Sequence, residues 1–379
     1  MEDSQVKTKR HGAVLGLIAA GALLLTACGS DNNAPGTGGS TSAAGDSSVP
    51  VECGGKSKLS AEGSSAQQNA IATFIQAYQA KCAGSDLAYN ATGSGAGVKQ
   101  FNAGQVDFGG SDSPLSESKG EVAAAAERCK GNPAWNLPLV FGPVALGYKL
   151  EGVTNLVLSG EVAAKIFNGG IKKWNDPAIA ALNSGASLPD KDIKVVYRSD
   201  ESGTTDNFQK YLTAASKGAW TQGEGKQFKG GVGEAKEKSA GVAQAAGSID
   251  GAITYVELSF AQDNKLSVAK IDNGSGPVEL TNETVGKAID GAKIKGTGND
   301  LVLDLDSIYG STTAGAYPLL LATYEIVCSA GYDADTAKAV KAFLTVAATT
   351  GQDGLADAGY APLPKAFQEK LLTAIKAIA

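Results

Sequence analysis

With 379 residues, the chain is too long for one small module and suits two domains. Its 43% hydrophobic and 19% charged residues support a real core, while 49 glycines against 6% aromatics favour tight backbone turns over stacking platforms. A formal net charge of −6 excludes a general nucleic-acid binder. His11 is the one histidine, so the body of the chain holds no Ser–His–Asp triad, Cys–His dyad or histidine zinc site.

Residues 1–12 are polar and carry Lys7, Lys9 and Arg10, and residues 13–25 are apolar. The apolar run is too short to span a bilayer comfortably. A basic start, a short apolar stretch and small residues before a cut predict a secretion signal over 1–27. Leu25-Thr26-Ala27-Cys28 resembles the bacterial lipobox, which implies that Cys28 becomes a lipid-modified N-terminus. Gly29 to Val49 is almost free of apolar residues, so residues 28–50 are expected to form a lipidated, flexible tether. The cut removes three cations and two anions, a net +1, which takes the net charge from −6 to −7. Any anion bound by so acidic a protein must be held by local geometry.

Leu59 to Ala61 predicts a short strand, which enters Gly63-Ser64-Ser65 and then a helix over Gln67 to Ala80 with Ile71, Phe74, Ile75 and Tyr78 on one face. A strand over Leu87 to Ala91 enters Gly93-Ser94-Gly95-Ala96-Gly97 and a short helix, Val98 to Ala103. A strand over Val106 to Gly110 enters Ser111-Asp112-Ser113-Pro114, with Pro114 in the first turn of a helix continued by Ser116 to Glu127. The unit returns as a strand over Ile193 to Tyr197, a loop over Arg198 to Thr205 and a helix over Asp206 to Ala215. Residues 222–241 read as a mobile surface loop, and Leu319 to Val327 as an apolar strand. This alternation predicts an α/β protein with mostly parallel sheets.

Besides Cys28, the cysteines are Cys53, Cys82, Cys129 and Cys328. An even number outside the cytoplasm suggests two disulfides, with three pairings open. Cys53 precedes the first strand and Cys82 follows the first helix, so both would lie at one edge of a sheet. That favours Cys53–Cys82 with Cys129–Cys328.

Four strand-to-helix loops are rich in Gly and Ser. A helix N-terminus offers unpaired N–H groups and partial positive charge, and small residues let an anion approach. Each loop alone reads more readily as an N-cap, and only their number in one chain favours an anion site. None carries the spacing of a nucleotide phosphate loop or a dinucleotide fingerprint. Arg198 is more specific, because only Arg128 and Arg198 remain after the signal in a Lys-biased chain. A planar, bidentate donor at the C-terminal end of a strand, with Asp200 two residues on to orient it, marks a ligand site. Asp112 would repel an anion unless the guest carries a proton that the carboxylate accepts. Phosphate keeps such a proton near neutral pH and sulfate does not.

These motifs, with Lys165 to Trp174 and Tyr360-Ala361-Pro362-Leu363-Pro364, resemble the PstS family, the phosphate-binding proteins of bacterial ABC phosphate importers. The resemblance runs from about Leu59 to the C-terminus. The lipobox, tether and cysteines look most like the mycobacterial-type, actinobacterial branch. It implies a two-domain, type II periplasmic-binding-protein fold with a two-strand hinge. The expected division is domain I over 51–140 and 316–379, with domain II over 141–315. It also implies phosphate contacts from Ser65, Ala66, Ser94 and Asp112 on one side and Arg198, Ser202, Gly203 and Thr204 on the other. Asp200 orients Arg198, and Glu201, where the family often has Gly, is expected to face solvent.

The expected protein is a monomeric, extracytoplasmic receptor on the outer face of the membrane, held there by the lipid on Cys28. It hands inorganic phosphate to ABC permease subunits and uses no metal, cofactor or nucleic acid. The rival readings are a secreted phosphoester hydrolase with Ser94 or Ser202 as nucleophile, and a receptor for another oxyanion such as sulfate or molybdate.

Overall fold

The computed structural model describes residues 49–379. The signal, the lipobox Cys28 and nearly all of the tether lie outside the described residues. A nine-stranded mixed sheet organises the rest. Its strands are β1 (Lys58–Gly63), β2 (Asp86–Ala91), β3 (Phe108–Ser111), β4 (Ala134–Lys149), β5 (Lys194–Arg198), β6 (Glu234–Lys236), β7 (Ala252–Glu257), β8 (Ser267–Val268) and β9 (Leu320–Cys328). Their order is β2-β1-β3-β9-β4-β7-β5-β6, with β8 against β4.

The two ends of the sheet are parallel, as predicted, but its centre is not. β9 runs antiparallel to both β3 and β4, and β4 runs antiparallel to β7. The sixteen-residue β4 joins the two ends. It pairs with β9 as far as Pro143, then with β7 from Val144 onward. Proline has no N–H to give a ladder, so the change of partner falls where a bond is already missing. The register also slips between Thr323 and Tyr324, opposite Val140 and Pro138.

The β1 end is covered on one face by α1 (Gln68–Lys81), α6 (Ala334–Ala348) and α7 (Lys365–Lys376), and on the other by α2 (Ser94–Asn102) and α3 (Glu121–Arg128). The expected apolar face of α1 buries Ile71, Phe74 and Tyr78. The β7–β5 end packs on α4 (Gly203–Ala215) from one side and α5 (Lys238–Ser248) from the other.

Three helix starts differ from expectation, two falling earlier in the chain and one later. α2 begins at Ser94 and α4 at Gly203, so the Gly/Ser motifs form first turns rather than preceding loops. α3 begins at Glu121, because Gly120 takes a left-handed φ of 71° and Pro114 stays outside the helix. The segment 222–241, expected as loop, contributes β6 and the start of α5. The favoured disulfides are present, Cys53–Cys82 and Cys129–Cys328.

Candidate anion-binding site

Arg198 ends β5 with a side chain only 2% exposed. Its guanidinium grips Asp200 with two parallel bonds, Nε to Oδ1 at 2.7 Å and Nη2 to Oδ2 at 2.5 Å. The Lys238 N–H, opening α5, adds a third bond to Asp200 Oδ1 at 2.9 Å. Burial alone would lower the guanidinium pKa, but the Asp200 fork raises it overall. Burial likewise pushes Asp200 up, and Arg198 and the Lys238 N–H hold it below its usual range. The remaining nitrogen, Nη1, turns inward to Ser239 Oγ at 3.1 Å and Thr204 Oγ1 at 3.5 Å.

Ser202 is the N-cap of α4, and its Oγ accepts the Thr205 N–H at 3.1 Å. Gly203 and Thr204 follow as the first helical residues, where backbone N–H groups lack partners within the helix. The Gly203 N–H points across to Ser94 Oγ at 3.1 Å. A Cβ on Gly203 would sit 2.6 Å from both Asp112 Cβ and Ser94 Oγ. Only glycine lets the α4 N-terminus reach that close.

Ser94 opens α2, and its Oγ donates to Asp112 Oδ2 at 3.0 Å while accepting the Asp112 N–H at 3.1 Å. Asp112 Oδ1 accepts from Ser64 Oγ at 2.5 Å and Thr323 Oγ1 at 2.7 Å. Burial pushes this carboxyl up to about 6, with the Ser64, Thr323 and Ser94 hydroxyls holding it down and nearby Glu257 adding repulsion. Ser65 Oγ lies 3.0 Å from Ser239 Oγ and accepts the Ser239 N–H at 3.1 Å. The Ala66 N–H turns back to Ser64 Oγ at 3.0 Å.

All nine residues named from the sequence, Ser65, Ala66, Ser94, Asp112, Arg198, Asp200, Ser202, Gly203 and Thr204, therefore fall in one cluster between the two ends of the sheet. Glu201 turns away and pairs with Lys99 at 2.6 Å, its side chain 38% exposed.

Four further residues belong to the cluster and were not singled out: Ser64, Ser239, Glu257 and Thr323. Ser64 sat beside Ser65 with nothing to distinguish the two. Thr323 had a signal, being with Glu325 one of two strongly polar residues inside a largely apolar strand. Glu257 ends β7 fully buried, its Oε1 accepting Thr204 Oγ1 at 2.5 Å. Ser239 lay in the segment expected to be loop.

One guanidinium fixed by Asp200, converging hydroxyls, two helix N-termini and the acceptor carboxylate of Asp112 suit a small protonated oxyanion. Among the described residues, no group of three or more His, Cys, Asp or Glu forms a metal site.

Known proteins bear on this arrangement. A family profile described as a PBP superfamily domain matches residues 35–349. "Phosphate-binding protein PstS 3" of Mycobacterium tuberculosis is 54% identical over 376 residues, covering 99% of this chain and 100% of the relative. "Phosphate-binding protein PstS 2" of the same species is 53% identical over 375 residues, covering 98% and 100%. The solved phosphate-binding protein from Stenotrophomonas maltophilia aligns with a TM-score of 0.66 at 21% identity, over 84% of this chain and 94% of that one. The fold is that of type II periplasmic binding proteins, and the chain belongs to the PstS family of phosphate-binding proteins.

Proposed function

We propose that this chain captures inorganic phosphate between two lobes, 51–140 with 316–379 and 141–315, and delivers it to the permease of an ABC importer. The observation that carries the reading is the meeting of Ser94 and Asp112, from one end of the sheet, with Gly203 and the forked Arg198 from the other. A ligand held by both ends biases closure, because only the closed form offers all contacts at once. Arg198 Nη1, the N–H groups of Ala66, Gly203 and Thr204, and the hydroxyls of Ser65, Ser94, Ser202 and Thr204 would donate. Asp112 would accept the proton that phosphate retains. Charge-assisted hydrogen bonds then suffice for affinity, with no covalent step.

The same reading places the protein on the outer face of the cytoplasmic membrane, secreted by the signal over 1–27 and held through a lipid on Cys28. The test is a calorimetric titration of the mature domain, stripped of ligand, with phosphate and then sulfate. One-to-one phosphate binding without a sulfate response is the expected result. Binding of sulfate, or of neither anion, overturns the reading.

A further inference from the structure

Glu325 lies on β9 two residues beyond Thr323, fully buried, and neither of its carboxyl oxygens has a hydrogen-bond partner. Its register partner on β3 is Gly110. Gly110 leaves open the space that the Gln67 amide and the Tyr89 hydroxyl fill, since a Cβ there would lie 2.5 Å from Gln67 Nε2 and 2.7 Å from Tyr89 Oη. Gln67 is itself fully buried, faces Glu325, and has no partner for Oε1. Its Nε2 donates to Tyr89 Oη at 3.0 Å, and Tyr89 donates to the Ser64 carbonyl at 2.7 Å. Ser64 Oγ in turn holds Asp112.

An ionised carboxylate can only accept, so it would leave three buried acceptor atoms unpaired. A neutral carboxyl carries one donor, and Gln67 Oε1 is the acceptor that lacks one. Burial and the Asp112 charge oppose ionisation of Glu325 and outweigh the Gln67 side chain, which favours the charged form. Asp112 from the loop after β3 repels a charge on Glu325, and Tyr89 from β2 is coupled to it. Glu62 on β1 acts on Tyr89, and Glu257 on β7 acts on Asp112. No Lys or Arg is among the groups that act on Glu325.

We propose that Glu325 is a positioning residue of the anion site that works in its protonated form: it donates to Gln67 Oε1 and, through Gln67 and Tyr89, fixes the Ser64–Ala66 loop. Losing that proton releases the loop and sets a bare negative charge behind Asp112, so anion affinity falls. The proposal rests on the phosphate reading above. Burial pushes the carboxyl up to about 8, which places the loss in an accessible alkaline window. Asp112 is already ionised there, and Tyr89 titrates well above 10.

The experiment is phosphate titration from pH 7 to pH 10 on the wild type, Glu325→Gln and Glu325→Leu, each checked for folding by circular dichroism. Wild-type affinity should hold near neutral pH and then fall by up to about tenfold per pH unit above pH 8. Glu325→Gln, which keeps a donor, should bind within about threefold of wild type at pH 7 and lose the alkaline fall. Glu325→Leu should bind more weakly at every pH, with no alkaline step. A wild-type affinity unchanged to pH 10, or an equal fall in Glu325→Gln, overturns the proposal. An infrared spectrum separates this from failure of the phosphate reading. A protonated-carboxyl band at neutral pH, lost in Glu325→Gln, is expected even from protein that binds no phosphate. Its absence from the wild type overturns the proposal by itself.

Discussion

The Gly203 N–H donates to Ser94 Oγ at 3.1 Å, the point where the N-terminus of α4 meets that of α2. Two helix starts, each with partial positive charge, are brought together over one hydroxyl. Gly203→Ala would drive a methyl against Asp112 and Ser94 at contact distances well inside van der Waals range. The two ends of the sheet could not approach fully. Phosphate affinity should drop at least about tenfold while thermal stability changes little, because the clash is relieved by opening rather than unfolding. Calorimetry with a parallel melting curve checks both.

Arg198→Lys keeps the charge and loses the fork. A lysine ammonium cannot make both bonds to Asp200 and still aim a donor at Ser239 and Thr204. Affinity should fall about 100-fold, roughly 3 kcal/mol. Near-wild-type binding would move the site elsewhere.

On the proposed reading, Asp112 decides which oxyanion is accepted. Its carboxyl sits at about 6, above its ordinary value, so it is ionised and purely an acceptor at pH 8 and gains a donor proton below pH 6. Sulfate should be rejected at pH 8 and gain affinity by pH 5. Asp112→Asn should accept sulfate at both. Sulfate titrations of both proteins at the two pH values decide it, and unchanged selectivity in the variant removes the acceptor role.

The Cys129–Cys328 bridge ties the end of α3 to the end of β9 across 199 residues. Replacing both cysteines with serine should cost about 2–5 kcal/mol of stability. Phosphate affinity should stay within about threefold, since neither cysteine touches the binding cluster. Thermal melts with and without reductant, alongside phosphate titration, test the separation.

How much of this was legible beforehand follows from the kind of information each residue carries. Arg198 and Asp200 stood out because a rare residue type sat in a Ser/Gly loop, next to its own partner in sequence. Strand-to-helix alternation exposed β1, β2, β5 and α1 because their apolar patterns are local. The antiparallel centre was hidden, because β9 enters the sheet from far along the chain and its pairing has no local signature. Thr323 and Glu325 show as polar residues in a largely apolar run, but nothing local gives either of them a partner. Their importance depends on facing Asp112 and Gln67, which only the fold determines. The starts of α2 and α4 were misread for a related reason. Gly and Ser have poor helix propensity, yet tertiary contact places them in the first turn.

The long loop closed by Cys129 and Cys328 has a mechanical consequence. Nearly everything from β4 through β8 lies inside it. A chain pulled from its two ends under oxidising conditions transmits the load through the sulfur bridge and bypasses that portion. Its extension on rupture should be shorter by roughly 680 Å, at about 3.4 Å for each of the 199 residue-to-residue steps bypassed. The half of the site that carries Arg198 is thus shielded from tension applied at the two ends of the chain. The half that carries Ser94 is not.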